Sequence, residues 1–247
     1  MTFSTAPSIN LAVPERALAV GAHPDDVEFG CGATLAKWAA AGCEVHHLVC
    51  TDGSKGTWDP DEDVIALVAL RQEEQRAASR ALGGKGRVVF LGWPDGELEA
   101  GLEQRGQVAA AIRRIRPDVV LGHDPWRRYR LHPDHRAAGF LLTDGIVAAR
   151  DPHFFPEQGL ETHRPSALLL WEADEVDHVE DASGFADAKL AALLEHRSQF
   201  RSTMHIDDPE AADEVEGFGA RMRARLEEHG AMGALPLGEA FKLLTKL

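Results

Sequence analysis

Short apolar runs alternate with longer amphipathic segments over the first 150 residues of the chain. The runs predict strands at 17–22, 44–51, 87–92 and 118–123, and the segments between them predict helices at about 32–41, 64–82 and 100–116. The second of these helices ends at Gly83 and Gly84, which are typical of a helix C-terminus. Strands separated by helices indicate βαβ units and therefore a mostly parallel sheet.

The second half of the chain continues this alternation less regularly. It predicts a helix from near residue 134 to about 150, a loop at 151–165, a strand at 166–173, an amphipathic helix at 185–200, and a helix around 210–229 before a short tail. The sequence shows neither a repeat nor a low-complexity linker. The pattern as a whole predicts an α/β fold.

Composition and charge indicate which partners and which cellular location to expect for the protein. The formal net charge of −14 disfavours nucleic acid as a partner, because an acidic surface repels phosphate backbones. Three cysteines without a C-x-x-C spacing favour a reduced, intracellular protein. The N-terminal residues do not resemble a signal peptide, and no apolar stretch approaches membrane-spanning length, so a cytoplasmic location is predicted.

Two acidic stretches invite a metal-binding interpretation, EADEVDHVED at 172–181 and DDPEAADEVE at 207–216. Both lack a fixed ligand spacing. We therefore expect each of them to form a solvated face.

Polar side chains gather where the predicted strands end. In open α/β sheets, ligands bind outside the carboxyl ends of the strands. The segments found there are HPDD at 23–26, Asp52–Gly53, Trp93–Pro94–Asp95, and His123–Asp124 followed by PWRRYRLHPDH. The first turn carries carboxylates where a dinucleotide-binding protein carries glycines, which disfavours a nucleotide-binding oxidoreductase.

The clusters HPDD at 23–26 and HPDH at 132–135 contain the residue types of a catalytic zinc site, which uses three protein ligands and keeps a position for water. His23, Asp26 and His135 supply such a set, although Asp25 could replace Asp26 on the residue types alone. A remaining carboxylate can take a proton from water activated by the metal, and His132 can protonate a leaving amine. The structural alternatives are a self-capping turn and a helix N-cap at Asp134.

At these residues the chain resembles the PIG-L/LmbE-like zinc deacetylases. The matching segments are AHPDD at 22–26, TDG at 51–53, RQEEQRAASRALG at 71–83 and HPDH at 132–135, and HRSQF at 196–200 is also similar. The resemblance covers at least residues 17–150, with the segments in the same order. It implies a single domain over 1–247 with a Rossmann-like fold, a mostly parallel sheet flanked by helices, and an active site at the carboxyl ends of the strands.

The resemblance also implies an activity, the hydrolysis of an N-acetyl group from an amino sugar such as an N-acetylglucosamine conjugate. It implies one zinc ion per chain, with another divalent metal left open. The implied roles are metal ligand for His23, Asp26 and His135, general base for Asp25, general acid for His132, orientation of His132 for Asp134, and substrate binding for Arg71.

Two of the candidate residues have competing structural interpretations. Arg71 is suitably spaced for an i,i+3 ion pair with Glu74 on a helix face. At position 130 some family members have a tyrosine that polarises the amide oxygen, whereas this chain has Arg130 preceded by Tyr129. A guanidinium there could bind substrate and stabilise an oxyanion, but a surface basic cluster that also contains Arg127 and Arg128 is favoured.

Two functional alternatives stay open at this point. One is an amidase that cleaves a thiol-sugar conjugate, and the other is a non-catalytic sugar-binding module. The intact Asp25 and His132 count against the second alternative, because a binding module needs neither. The expected partner is a small amino-sugar substrate, and a homo-oligomer is left open.

Overall fold

The apolar runs form the interior strands of one sheet. In the computed structural model, which describes residues 6–247, the strands are β1 (Ser8–Ile9), β2 (Arg16–Gly21), β3 (Glu44–Thr51), β4 (Val88–Trp93), β5 (Val119–His123), β6 (Ala167–Trp171), β7 (His178–Asp181) and β8 (Gly238–Leu244). Their order across the sheet is β1-β7-β8-β6-β5-β2-β3-β4. Neighbouring strands are parallel except that β8 runs antiparallel to both β6 and β7. The predicted mostly parallel α/β sheet is confirmed.

Helices cover both faces of the sheet. They are α1 (Asp26–Ala40), α2 (Val64–Ala81), α3 (Leu102–Ile115), α4 (Pro133–Arg150), α5 (Ala186–Leu193) and α6 (Ala212–Met232). One core cluster packs α3 and α4 against the sheet, and a second packs α1, α2 and α5 against the other face. Strands buried on both faces need apolar side chains at every position, which explains the continuous runs in the sequence. Within the described range, no helix is both long and apolar enough to cross a membrane.

The start of α1 differs from the predicted start near residue 32. The helix begins at Asp26 and contains a kink at Cys31, whose φ of −148° is not helical. The Glu239 carboxylate accepts hydrogen bonds from the backbone N–H groups of Ala33 (3.1 Å) and Thr34 (2.7 Å). A side chain from β8 thus caps the second part of α1, and this contact cannot be found from local periodicity.

Strand β7 lies in the acidic stretch for which the sequence predicted a solvated face, and strand β8 lies in the predicted short tail. The prediction for the acidic stretch at 172–181 is wrong at its C-terminal end, since His178 and Glu180 are buried in β7. Glu180 is stabilised there by an ion pair with Lys37, with the Oε2–Nζ distance at 2.6 Å. The predicted helix at 185–200 ends at residue 193 and continues as a 3₁₀ turn and a π turn over 197–204.

The strand ends that will form the site lie side by side. In the ladders, Val20 of β2 pairs with Gly122 of β5, and His123 at the end of β5 pairs with Trp171 of β6. The turn after β2 leads directly into α1, and the loop after β5 leads into α4. Both helices therefore begin at the carboxyl edge of the sheet, and each contributes side chains from its first turn.

Candidate active site

The HPDD segment forms the tight turn between β2 and α1. Asp25 lies at the N-cap position of α1 with φ 99° and ψ −27°, a left-handed conformation that residues other than glycine rarely adopt. Such a conformation carries strain on the order of 1–3 kcal/mol and persists where the surroundings impose it. The side chains of Asp25 and Asp26 are both almost fully buried. Two carboxyl groups are thus held next to each other in a site from which most water is excluded.

Three imidazole rings surround the Asp26 carboxylate. Its Oδ2 lies 3.3 Å from Nδ1 of His23 and 3.2 Å from Nε2 of His123, and its Oδ1 lies 3.2 Å from Nε2 of His135. The structure therefore places two of the predicted metal ligands, His23 and His135, against the carboxylate of the third, Asp26. It adds His123, which the sequence placed at a strand end without a role.

The orientation of the His23 ring is set by two further carboxylates. Nε2 of His23 lies 3.1 Å from Oδ1 of Asp95 and 3.1 Å from Oδ2 of Asp134. Because both partners are acceptors, Nε2 carries a proton, and Nδ1 is the nitrogen that would face a metal ion shared with Asp26. A carboxylate behind an imidazole in this way is the usual arrangement of a metal-binding histidine.

The donor set around Asp26 fits a divalent cation. Among the described residues, three groups of three side chains each have ligand atoms within 4.8 Å of one another: His23 with His132 and His135, Asp26 with His123 and His135, and His23 with Asp95 and Asp134. The predicted set of His23, Asp26 and His135 takes its members from the first two groups. Burial acts to raise the pKa of Asp26, but the neighbouring His135 and His123 hold it well below its ordinary value. An ionised carboxylate among imidazole nitrogens is the ligand chemistry that zinc and similar ions prefer.

The neighbouring Asp25 has a different electrostatic environment. Burial raises the pKa of Asp25 to about 6, although the Arg71 guanidinium opposes that shift. Nη2 of Arg71 lies 3.7 Å from Oδ2 of Asp25, farther than a hydrogen bond. Two adjacent carboxyl groups with pKa values shifted in opposite directions are suited to different roles, one as a ligand and one as a base.

His132 lies at the rim of the site, at the N-cap position of α4. Its ring centroid is 4.6 Å from those of both His23 and His135. Burial, together with the charges of those two histidines, lowers the pKa of His132. The ring is partly open to solvent, which allows it to meet a bound molecule.

Asp134 lies against His23 in the structure, whereas the sequence resemblance implied a role toward His132. Its carboxylate accepts hydrogen bonds from the backbone N–H groups of Gly96 (2.6 Å) and Leu98 (3.2 Å) besides the contact with Nε2 of His23. Asp134 therefore connects the loop after β4 to the HPDD turn.

Arg71 is buried and bonded to the backbone of two loops. Its Nη1 donates to the carbonyl of Gly53 (2.8 Å), and its Nη2 donates to the carbonyl of Pro24 (2.7 Å). Glu74, the alternative ion-pair partner, instead accepts from the N–H and the hydroxyl of Ser198. Arg71 thus fixes the turn that carries Asp25 and also lines the cavity.

Arg130 lies inside the site and does not belong to an exposed basic cluster. It forms an ion pair with Glu172, and its Nη2 lies 3.1 Å from Nδ1 of His123 and 2.7 Å from Nδ1 of His135. Metal binding through Nε2 of His135 requires the ring proton on Nδ1, where a guanidinium cannot accept it. In a metal-bound site Arg130 would therefore turn away from His135 and toward Glu172.

These side chains, apart from Asp134 and Arg130 behind them, line a cavity of about 530 Å³, within the size range of small-molecule sites. A larger groove of about 970 Å³ lies between β4 and α3, but its walls are mainly apolar and lack the histidines and aspartates described above. The smaller cavity is the candidate active site, because the ionisable groups with shifted pKa values converge there.

The sequence interpretation left several residues of the site without a role. Asp95 and His123 had been placed at strand ends, so assigning every ionisable side chain at the carboxyl edge would have found them. Glu172 follows β6 at the same edge. Gln75 and Glu28 have no such signal, because their role depends on a contact between two helices.

Comparisons with known proteins show which family the chain belongs to. The family model described as PIG-L, GlcNAc-PI de-N-acetylase, matches residues 18–146. Diacetylchitobiose deacetylase from Thermococcus kodakarensis is 35% identical over 189 residues, which cover 75% of this chain and 70% of that protein. The 1D-myo-inositol 2-acetamido-2-deoxy-alpha-D-glucopyranoside deacetylase of Streptomyces avermitilis is 34% identical over 247 residues, covering 87% of this chain and 81% of that protein.

A solved structure shows the same fold. N,N'-diacetylchitobiose deacetylase from Pyrococcus horikoshii, crystallised with an inhibitor, superposes with a TM-score of 0.84 at 30% sequence identity. The superposition covers 94% of this chain and 84% of that chain. The similarity therefore extends past the segment matched by the family model and includes the C-terminal strands and helices.

Proposed function

Since the chain belongs to the PIG-L family of GlcNAc-PI de-N-acetylases, we propose that it is a metal-dependent hydrolase that removes the acetyl group from a 2-acetamido sugar. The observation that carries the proposal is the Asp26 carboxylate surrounded by imidazole nitrogens beside a second buried carboxyl group, Asp25. The names of the relatives point to N-acetylglucosamine joined to a second ring as the substrate class. We propose further that residues 1–247 form a single catalytic domain located in the cytoplasm.

The metal in this proposal is zinc, held by His23, Asp26 and His135. A bound zinc ion would polarise the amide carbonyl and lower the pKa of a water molecule. The nitrogen and carboxylate donors of the site match the ligand preference of zinc. Asp95 and Asp134 contribute by holding the His23 ring so that Nδ1 is available.

The remaining groups carry the proton transfers. Asp25 takes the proton from the attacking water, a task suited to a carboxyl group whose pKa is raised to about 6. His132, at the rim, gives a proton to the departing sugar amine. Acetate and a free amine are the products, and the amide C–N bond is the one that breaks.

Arg130 is the residue available to stabilise negative charge on the amide oxygen. It lies where some family members have a tyrosine, and its ion pair with Glu172, a residue that lines the cavity, places its guanidinium at the edge of the site. Fixed donors aimed at a developing oxyanion contribute strongly to acyl-transfer catalysis. Arg71 has both terminal nitrogens of its guanidinium bonded to backbone carbonyls, so its role is first to shape the site.

The test combines metal analysis with product analysis. Purified protein is reconstituted with zinc and with other divalent ions, and then incubated with N,N'-diacetylchitobiose and with an N-acetylglucosaminyl inositol. We expect acetate and free amine in equal amounts, and we expect the His135→Ala variant to lose both the metal and the activity. Release of a larger acid from a thiol-sugar conjugate without acetate release would favour the amidase alternative. Sugar binding without turnover by the metal-loaded protein would favour a binding module.

A further inference from the structure

Two side chains of α2 hold the peptide group that joins Pro24 to Asp25. Nη2 of Arg71 donates to the Pro24 carbonyl oxygen at 2.7 Å, and Oε1 of Gln75 accepts from the Asp25 N–H at 3.0 Å. The carbonyl and the N–H belong to one peptide unit, so both of its polar edges are bound. Arg71 and Gln75 are four residues apart on a helix and therefore project from the same face.

This peptide group needs such support because of the backbone that follows it. Asp25 has a φ of 99°, and a residue with a side chain in this region returns to a negative φ unless its surroundings prevent it. A rotation of the Pro24–Asp25 peptide would break both hydrogen bonds and would redirect the Asp25 side chain. The direction of the proposed base is therefore coupled to the two contacts from α2.

The orientation of the Gln75 amide is itself set by a buried carboxylate. Nε2 of Gln75 donates to Oε1 of Glu28 at 2.7 Å, and Glu28 is fully buried. A carboxylate can only accept, so the amide nitrogen of Gln75 faces Glu28 and its oxygen faces the Asp25 N–H. The other oxygen of Glu28 lies 3.3 Å from Nε2 of His196, which is also fully buried. Polar groups this deep in a protein are retained where each has a partner.

These contacts connect three segments that are far apart in the sequence. Gln75 belongs to the RQEEQ segment of α2, His196 to the HRSQF segment after α5, and Glu28 to the first turn of α1. The proposed reaction assigns no chemical step to Gln75, Glu28 or His196. Their hydrogen bonds converge on Glu28, which accepts from His196 on one side and from Gln75 on the other, while Gln75 accepts from the Asp25 N–H.

We propose that Gln75 is a positioning residue for Asp25, and that the buried pair of Glu28 and His196 keeps the Gln75 amide in the orientation that binds the Asp25 N–H. The proposal rests on the proposed function, because it takes Asp25 as the general base. Gln75 is fully buried and is not among the residues that line the cavity, so it acts by fixing the backbone from which the Asp25 carboxylate projects.

The first experiment compares Gln75→Met with Gln72→Met in zinc-loaded protein. Gln72 lies on the same helix and is partly exposed, which makes it a matched control. For Gln75→Met we expect kcat to fall about 100-fold while KM and zinc content stay within about threefold, since a misplacement of about 1 Å has that effect on a reacting group. Gln72→Met should behave as the wild type. A fully metal-loaded Gln75→Met protein with an unchanged kcat would overturn the proposal.

A reciprocal exchange tests the direction of the hydrogen bonds and does not depend on the stability of Gln75→Met. Gln75→Glu alone places two carboxylates in contact and removes the donor to Glu28, so kcat should fall by about the same factor. Combining Gln75→Glu with Glu28→Gln moves the amide donor from position 75 to position 28. The amide oxygen at position 28 can then accept from His196, and the carboxylate at position 75 can accept from both that amide and the Asp25 N–H. We expect the double variant to recover kcat to within about tenfold of the wild type. A double variant that is no better than Gln75→Glu would contradict the proposed orientation.

Hydrogen exchange of the Asp25 amide, followed by NMR, separates this proposal from the proposed function. The amide should be protected in the wild type and should exchange at least about tenfold faster in Gln75→Met, because its acceptor is lost. A wild type that releases no acetate would count against the deacetylase function, while the exchange rates would still test the contact. Unchanged protection in Gln75→Met, or faster exchange with an unchanged kcat, would each overturn the positioning role.

Discussion

The indole Nε1–H of Trp171 donates a hydrogen bond to Nδ1 of His123 across 2.9 Å. Because an indole N–H can only donate, Nδ1 of His123 must accept, and the ring proton lies on Nε2. That nitrogen faces Oδ2 of Asp26 at 3.2 Å. Nε2 of His123 therefore carries a proton beside Asp26, in a close contact without hydrogen-bond geometry, and it has no lone pair free for a metal ion while Trp171 donates to Nδ1.

This tautomer predicts different effects for two histidine variants. His123→Ala should weaken zinc affinity by about 10- to 100-fold, the usual effect of removing a partner of a ligand, and should still bind one ion per chain at saturation. His135→Ala, which removes a proposed ligand, should not reach that stoichiometry. A titration against a competing chelator measures both variants. Loss of zinc from His123→Ala as complete as that from His135→Ala would make His123 a ligand.

The two neighbouring aspartates provide a second comparison. Asp25→Asn should lower kcat by about 10²- to 10⁴-fold, the range for loss of a general base, while the protein keeps its zinc. Asp26→Asn should lose zinc and activity together, because it weakens a proposed ligand. Both changes conserve side-chain volume, so they serve as controls for each other in a combined kinetic and elemental measurement. Full activity of Asp25→Asn would refute the assignment of the base.

The sequence predicted those parts of the site that follow from the positions of the strands and of the loops after them. Buried parallel strands have a clear signal, so the bounds predicted for β3 are the bounds observed. Parallel strands end at the same edge, so His23 and His135 were expected to meet although 112 positions separate them. The ladder between β2 and β5 is the physical reason for that success.

The remainder of the site depends on contacts that local patterns do not contain. The kink in α1 is capped by Glu239, a residue of β8 that lies more than 200 positions later in the chain. Asp134 was expected to hold His132, but the backbone N–H groups of Gly96 and Leu98 direct its carboxylate toward His23. Neither contact follows from residue type or periodicity.

Arg113 gives a prediction about the fold that is separate from the chemistry. It is buried, and its guanidinium donates to the carbonyls of Ala148, Ala149, Asp151 and Phe154 at the C-terminal end of α4. Replacement by methionine removes the donor to the carbonyls of Ala148 and Phe154, whereas those of Ala149 and Asp151 keep backbone N–H donors. We expect the free energy of unfolding to fall by about 3 kcal/mol.

The exposed neighbour Arg114 provides the matched control for Arg113. Arg114→Met should change the free energy of unfolding by less than about 0.5 kcal/mol, as is usual for surface substitutions. Denaturant unfolding measures both variants, and kcat should stay within about twofold of the wild type for each below its melting temperature. An Arg113→Met protein as stable as Arg114→Met would show that the carbonyls find other donors.

Glu180 predicts how stability depends on pH. Burial acts to raise its pKa, but hydrogen bonds from His178 and from the Leu11 N–H, together with Lys37, hold the pKa below its ordinary value. A carboxyl group whose pKa is lowered by folding adds stability above its unfolded pKa of about 4.3 and loses that contribution as the pH falls through its folded value. Glu180→Gln should therefore lower the free energy of unfolding by about 3 kcal/mol at pH 7, or roughly 6–12 °C in Tm, and the difference from the wild type should shrink below about pH 4. Thermal unfolding of both proteins between pH 3 and pH 8 measures this, and a difference that is constant with pH would show that the Glu180 charge does not contribute.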